Sequence, residues 1–195
     1  MRTMHALVTA MSGLILAACA DGAAPTAPSS RLAPSAAVRS EEPGNGERLA
    51  VGLYSVTVPA DVFGIVVNAH FAFAAHAHDG ASAGGGFTYD EQDGSSPANR
   101  YTGSVTCFNV YDFDGLTGNR AKIGGVVETS TDPTVPPGTF MWWQSIDEEG
   151  NGPGKTTLAG VGDAAANEAF CNSSNPPRFG PFRIRGFVEV RAGGE

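Results

Sequence analysis

Two histidines at alternate positions are the first residues in this chain whose types and spacing suggest chemistry. His76 and His78 stand just before Asp79-Gly80, a typical turn pair. In a strand, residues two apart share a face and lie about 6 to 7 Å apart, which suits two ligands of one zinc ion. A closed zinc site needs further ligands, and His70 would lie about 20 Å away along the strand. The alternative is a pair of solvent-facing histidines at a strand end.

An acidic loop with the sequence DEEGNG at residues 147–152 is the second candidate site. Asp147, Glu149 and Asn151 offer oxygen ligands at alternate positions, as in the first half of a calcium-binding loop. The similarity ends there, because an EF-hand needs a bidentate glutamate where Leu158 stands. A calcium site at these three residues is therefore one hypothesis, and an acidic hairpin turn without metal is the other.

The stretch Met141-Trp142-Trp143 is the third candidate. Adjacent residues of a strand point to opposite faces, so only one tryptophan can share the parity of Phe140 and Ile146 and lie in the core. Trp143 and Met141 have the other parity. They are candidates for an exposed apolar platform that binds a sugar ring or a partner protein. Burial under a loop, or between two sheets, is the alternative.

The first residues predict export. Residues 1–18 form a signal peptide in which an apolar stretch of about eleven residues follows Arg2, too short for a spanning helix. Leu16-Ala17-Ala18-Cys19 then resembles the bacterial lipobox, whose cysteine is lipidated and becomes the new N-terminus. We predict a lipid anchor at Cys19, in the outer membrane if the host has one, since Ala20 rather than Asp follows. The alternative is cleavage at the A-x-A site Ala18-Cys19-Ala20, which would release a secreted soluble protein.

The cysteine count agrees with a lipid anchor. Three cysteines in an exported chain leave one unpaired. If Cys19 carries lipid, Cys107 and Cys171 remain as a pair in a compartment where disulfides persist. The alternative is two buried free thiols.

A linker and one β-domain follow the signal peptide. Residues 19–48 contain the lipid-attachment cysteine and an Ala/Pro/Ser-rich coil with a mean reach of about 30 Å. From residue 49 to 195, short apolar or alternating runs are separated by turn residues, as in antiparallel sheets. We predict eight strands: Leu49–Val58, Phe63–His76, Gly86–Tyr89, Tyr101–Tyr111, Ala121–Ser130, Thr139–Ile146, Thr156–Val161 and Phe182–Arg191.

The last strand shows the clearest alternation. Phe182, Ile184, Val188 and Val190 share one parity and charged residues share the other, so one face is core and one faces water. The alanine-rich segment 163–170 predicts the single short helix, capped by Asp163. No parallel crossover pattern is visible in the sequence. The predicted fold is therefore all-β, an antiparallel sandwich or closed barrel of about eight strands with one short helix.

Three stretches carry a resemblance to a family. They read GSVTCFNV at 103–110, GNRAKIGG at 118–125 and STDPTVPPGT at 130–139. This run resembles uncharacterised exported bacterial β-domain proteins over roughly Phe71 to Val190. The chain departs from that pattern by an insertion at Tyr111–Thr117, before an expected Gly118-Asn119 turn, and by its acidic loop. The resemblance implies an exported β-domain and brings no established activity.

Composition and charge limit the function. The chain of 195 residues is 42% hydrophobic and 16% charged, with 26 Gly and 13 Pro, as expected for one globular domain with many turns. Its net charge is -8, and removing residues 1–18 takes away only Arg2, which leaves -9. This acidic balance excludes nucleic acid as a partner.

The leading functional hypothesis is an envelope-anchored bacterial lipoprotein whose β-domain binds or scaffolds an unknown envelope ligand or protein without catalysis. Its expected contacts are the membrane, through the lipid, and that ligand. It would need no cofactor. The alternatives are a metal-assisted or carboxylate-based hydrolase of the cell envelope, with zinc at the histidines, and a structural calcium-binding domain.

Overall fold

The fold is taken from a computed structural model, which describes residues 46–78, 82–113, 116–148, 153–173 and 180–193; the side chains of residues 113 and 116–118 are outside this description. The predicted signal peptide, Cys19 and the linker up to residue 45 lie outside the described residues. The first strand begins at Glu47, two residues before the predicted start of the domain.

The described residues form ten strands and two helices. In chain order they are β1 (Glu47–Val58), α1 (Ala60–Phe63), β2 (Val67–His78), β3 (Gly84–Asp93), β4 (Asn99–Phe113), β5 (Leu116–Ser130), β6 (Phe140–Ile146), β7 (Lys155–Thr156), β8 (Gly160–Gly162), α2 (Ala164–Asn172), β9 (Phe182–Arg183) and β10 (Arg185–Arg191). The predicted all-β class is confirmed.

One antiparallel sheet contains all ten strands of the described residues, and it is nearly closed into a barrel. The strand order is β10-β1-β2-β3-β4-β5-β6-β7-β9, with β8 paired to β6. The first and last strands of this order, β10 and β9, are separated in the chain only by Ile184. A single segment therefore pairs with β1 through one half and with β7 through the other, and it joins the two edges of the sheet.

Aromatic side chains fill the barrel interior. The indole of Trp143 lies at its centre, with ring centroids 5.7, 5.5 and 5.4 Å from those of Phe71, Phe73 and Phe87. The Tyr54 hydroxyl lies 2.8 Å from Ser145 Oγ. Such edge and tilted contacts stabilise a core beyond the apolar area they bury. The interior is thus a packed core.

Most predicted strands lie near their expected positions, and the alternation of the last one is confirmed. Ile184, Val188 and Val190 are buried, whereas Arg185 is exposed. The structure splits this predicted strand into β9 and β10, and the predicted Thr156–Val161 strand into β7 and β8.

Two local predictions are wrong. The apolar run after Phe63 was expected to be strand, but α1 ends there and Gly64 closes it with a φ of 78°, a conformation that glycine adopts without a Cβ penalty. The Gly118-Asn119 pair was expected to be a turn, but it lies within β5, because β4 and β5 form a longer hairpin.

The second helix, α2, follows the sequence closely. Asp163 caps it, since its carboxylate accepts a hydrogen bond from the Ala166 N–H at 2.8 Å. The disulfide between Cys107 and Cys171 joins this helix to β4, as the cysteine count predicted.

Candidate functional site

Helix α2 lies on the outer face of the barrel wall formed by β4, β5 and β6. The Cys107–Cys171 disulfide holds it to β4, with 6.2 Å between the two Cα atoms. Near its carboxyl end, Tyr111 Oη donates a hydrogen bond to the carbonyl oxygen of Cys171, and Asn109 Nδ2 donates to the same oxygen at 3.4 Å. This part of the wall is therefore covered on both sides, by the core within and by the helix outside.

A buried lysine caps the carboxyl end of α2. Lys122, on β5, is fully buried, and its Nζ donates to the backbone oxygen of Ser173 and to Ser173 Oγ at 2.7 Å. The ammonium lies 5.4 and 5.1 Å from the ring centroids of Tyr111 and Phe170. Burial lowers the pKa of Lys122, and the charge of Arg120 lowers it further. A cation at a helix carboxyl end stabilises the exposed carbonyls.

The helix lies close against the wall at Gly124. A Cβ atom at this position would lie 1.9 Å from Asn167 Oδ1 and 2.8 Å from Cys107 Sγ. Asn167 is buried, and its Nδ2 donates to Thr106 Oγ1 at 3.2 Å. Glycine is therefore required here, because any side chain would displace the helix from the wall.

A groove of about 380 Å³ runs beside α2 and is the candidate binding site. Its polar lining comes from β1, β4 and the helix: Arg48, Thr106, Asn167, Glu168 and Asn172. Its apolar lining is Ala77, Ala83, Phe108, Phe140 and Ala164, and the disulfide forms part of the wall. This volume falls in the range of small-molecule sites. The groove could hold a small polar ligand.

The charges of the groove are of both signs. Arg48 supplies the cation, and its Nη1 donates to Asn109 Oδ1 at 3.0 Å, which orients the guanidinium. Glu168, exposed on α2, supplies the carboxylate. A guanidinium presents several N–H donors in a fixed plane and binds carboxylates in a bidentate geometry.

The two histidines proposed as zinc ligands lie on the outer face of β2. Both His76 and His78 are exposed, and His78 Nε2 lies 3.9 Å from Glu47 Oε1. The ring of His76 lies over Gly84, since a Cβ there would be 2.8 Å from His76 Nε2. Within the described ranges, no three His, Cys, Asp or Glu side chains are grouped as metal ligands would be. The structure thus brings the two histidines to one face and brings no third ligand to them.

The acidic loop is described only in part, because Glu149 and Asn151 lie outside the described residues. Asp147 is half-buried, and its Oδ2 accepts a hydrogen bond from the Val190 N–H at 3.2 Å. Its carboxylate therefore helps to hold β10 against the end of β6.

The proposed Trp143 and Met141 platform is wrong, because both side chains are buried in the barrel interior with 1% exposure each. Trp142 has the opposite orientation, and its ring lies 6.2 Å from that of Phe170 on α2. The barrel core covers one face of β6 and α2 covers the other. The two tryptophans therefore point to opposite faces, and neither is fully exposed.

The sequence reasoning missed the groove. One indication was available for Arg48, which shares the inward parity of Ala50 in β1 and is thus a charged residue at a core-facing position. Another was the four-residue spacing of Asn167 and Cys171, which places both on the face of the helix that meets the wall. The proximity of β1 and α2 depends on closure of the barrel, and no local sequence pattern predicts it.

A carboxylate cluster near the start of β4 was also missed. Tyr89 Oη donates a hydrogen bond to Glu91 Oε2, and Tyr101 Oη donates to Asp132 Oδ2 at 2.9 Å. Burial raises the pKa of Glu91 to about 7, with smaller contributions from the charges of Asp93 and Asp132. Hydrogen bonds from Thr134, and then from Tyr101, lower the pKa of Asp132.

This cluster predicts an unusual pH dependence of stability. A carboxyl group whose pKa is raised from 4.5 to about 7 keeps its proton in the folded state after the unfolded chain has lost it. The free energy of unfolding should therefore fall as the pH rises from about 4.5 to about 7, by about 2 kcal/mol after allowance for the partial exposure of Glu91. In Glu91→Gln this fall should disappear. Denaturant titrations at several pH values measure it.

The control is Asp61→Asn, at an exposed carboxylate on α1. This variant should keep the pH dependence of the parent chain. A Glu91→Gln variant whose unfolding free energy still falls across that pH range would show that another group titrates.

Comparison with known proteins adds no assignment: no family model, no curated protein and no solved structure matches the chain. Among the described residues, no helix has the length and apolar character needed to cross a membrane.

Proposed function

We propose that the chain is an envelope-anchored lipoprotein whose β-domain binds a small polar ligand in the groove beside α2. The anchor rests on the sequence LAAC at residues 16–19 and on the Ala/Pro/Ser-rich composition of the residues that follow it. The binding function rests on the groove, where a guanidinium, a carboxylate and amide groups line one concave surface. Concave sites with a few convergent polar groups are typical of ligand binding.

Binding, rather than nucleophilic chemistry, fits the groups that line the groove. The sulfur atoms of Cys107 and Cys171 are bonded to each other, so neither is a thiolate. The guanidinium of Arg48 offers only hydrogen-bond donors, which suit a carboxylate. The ligand we propose therefore carries a carboxylate for Arg48 and hydroxyl or amide groups for Asn167 and Glu168, chemistry that cell-wall glycopeptides provide.

The groove is tested by titrating the exported Cys19→Ser chain with N-acetylmuramyl dipeptide at millimolar concentration and recording backbone amide NMR spectra. Saturable shifts are expected at Arg48, Thr106 and residues of α2, and N-acetylglucosamine, which has no carboxylate, should bind more weakly.

In Arg48→Gln the affinity should fall about tenfold, as for the loss of one charge-assisted contact. Arg100→Gln, on the outer face of β4, is the matched control and should bind normally. Shifts that fall outside the groove, or that survive in Arg48→Gln, would overturn this assignment.

The anchor is tested separately by mass spectrometry of the native product. A diacylglyceryl-modified Cys19 is expected, and Cys19→Ser should release the protein from the membrane fraction. An unmodified terminus at Asp21, or a product whose fractionation is the same in both proteins, would contradict the anchor and leave the groove experiment unaffected.

A further inference from the structure

Two large apolar side chains stand next to each other on the outside of the barrel. Leu53 on β1 and Phe187 on β10 are cross-strand partners, and they are 53% and 54% exposed. Their sequence neighbours Tyr54 and Val188 are buried inside. A pair of exposed apolar residues at adjacent positions forms a patch, and such patches on soluble domains commonly mark an interaction surface.

The other half of the same face carries small side chains. Across the sheet from Leu53, the next residues in the row are Ala72 on β2 and Thr88 on β3, and one row further lie Ala74 and Gly86. The outer face of β10, β1, β2 and β3 thus has a bulky half next to a half of small side chains. We call this the β10–β3 face.

Charged side chains stand at both edges of the β10–β3 face. In the row beside Leu53, Arg185 on β10 pairs in register with Ser55, followed by His70 and then by Asp90 on β3. Arg185 is exposed. Asp90 is bound in a bidentate manner by Arg100, at 2.7 and 3.1 Å. One edge therefore carries Arg185 together with the Glu189–Arg191 ion pair, and the other carries the Asp90–Arg100 ion pair.

We propose that the β10–β3 face binds a second copy of this chain. A two-fold axis parallel to the strands, passing between β1 and β2, places Leu53 of each copy over Ala72 of the other and Phe187 over Thr88. The same operation brings Arg185 opposite Asp90 of the second copy. A two-fold contact must be self-complementary, and here the bulky half meets the small half, and Arg185 meets the carboxylate of the Asp90–Arg100 ion pair.

The curvature of the barrel agrees with this arrangement. Two convex sheets diverge away from the line where they touch, so short side chains suit the centre and long ones suit the flanks. Leu53 and Ala72 lie beside the axis, and the longer Phe187 and Arg185 lie on the flank formed by β10. Pairing of the two bulky halves instead would bring Arg185 of one copy towards Arg185 of the other, which is unfavourable.

The position of the linker gives a further reason for this axis. Rotation about an axis parallel to the strands keeps the strand direction, so Glu47 of both copies lies at the same end of the dimer. The predicted linker enters the domain at this residue, and two such linkers would lead to one membrane. This step rests on the proposed lipid anchor, whereas the charge and shape arguments do not.

Self-association is tested on the full chain carrying Cys19→Ser, by sedimentation at micromolar to submillimolar concentrations. A monomer–dimer equilibrium is expected, and Phe187→Ser should raise the dissociation constant by about tenfold or more, as for a large apolar side chain that an interface buries. Val161→Ser is the matched control, because Val161 on β8 is 49% exposed but lies away from the β10–β3 face. A chain that stays monomeric throughout overturns the inference, as does a dimer that Phe187→Ser leaves unchanged.

The axis is tested with spin labels at Glu47→Cys and, separately, at Thr57→Cys in the same background. These two positions lie on β1, ten residues and so about 33 Å apart along the strand. Copies that run in the same direction place identical labels within about 20 Å of each other in both variants, since packed sheets lie about 10 Å apart. Distances above about 30 Å in both variants would mean opposed copies and overturn this axis. Because these samples carry no lipid, failure of the anchor leaves the result unchanged.

Discussion

Replacing Cys107 and Cys171 with alanine is expected to lower the free energy of unfolding by about 4 kcal/mol. The two residues are 64 positions apart, and the disulfide between them restricts the unfolded chain by closing that long loop. The loop contains all of β5, β6, β7 and β8, so the restriction applies to one continuous part of the barrel. Denaturant titration of the variant and its parent, both in a Cys19→Ser background, measures the difference.

The local consequence of losing the disulfide is expected to be smaller. Lys122 still donates to Ser173, and Tyr111 still donates to the Cys171 carbonyl, so the carboxyl end of α2 keeps its contacts with the wall. Hydrogen exchange should therefore show α2 amides that remain protected but open more often than those of β1 and β2. The Cys19→Ser parent, which keeps the disulfide, is the control. Equal unfolding midpoints in the two proteins would show that the link contributes nothing to stability.

The sequence predicted the elements that have one buried face and one solvent-exposed face. The alternation of Ile184, Val188 and Val190 specified the orientation of the last strand, because solvent covers its other side. The cap at Asp163 and the alanines after it specified α2, and the cysteine count specified its attachment. These are local patterns, except for the disulfide, which the cysteine count predicted only together with lipidation of Cys19.

The sequence could not predict features in which distant segments decide burial. Asn167 of the groove is separated from Arg48 by most of the domain, and the two meet only because the sheet curls round to bring β1 near β4. The raised pKa of Glu91 likewise depends first on its burial in the curled sheet, and then on the charges of Asp93 and Asp132, the latter returned to the same end of the barrel after β5. In the sequence, the apolar run from Phe63 to Val66 resembles a strand. In the structure, Gly64 ends α1 within this run, and the apolar side chains are partly exposed. Only the closed sheet determines which apolar residues are inside.

The two adjacent tryptophans on β6 provide the sharpest test of this architecture. Trp143→Ala is expected to lower the free energy of unfolding by about 4 kcal/mol, because it removes a large buried ring and leaves a cavity among Phe71, Phe73 and Phe87. Trp142→Ala removes the same side chain from the outer face, where it contacts Phe170 of α2, and should cost about 1 to 2 kcal/mol. Chemical denaturation of both variants gives the comparison.

The two variants should also differ in which part of the fold they destabilise. Loss of Trp143 should weaken the whole barrel, so hydrogen exchange should accelerate in β2 and β3 as well as in β6, because their side chains line the cavity. Loss of Trp142 should accelerate exchange chiefly in α2, because its ring lies between the sheet and Phe170. The opposite order, with Trp142→Ala the more destabilising, would mean that Trp143 does not lie in the interior, and the arrangement of β6 in this fold would be wrong. Equal costs would show that the helix covers the wall as tightly as the core fills the barrel, since a ring on either face would then be equally buried.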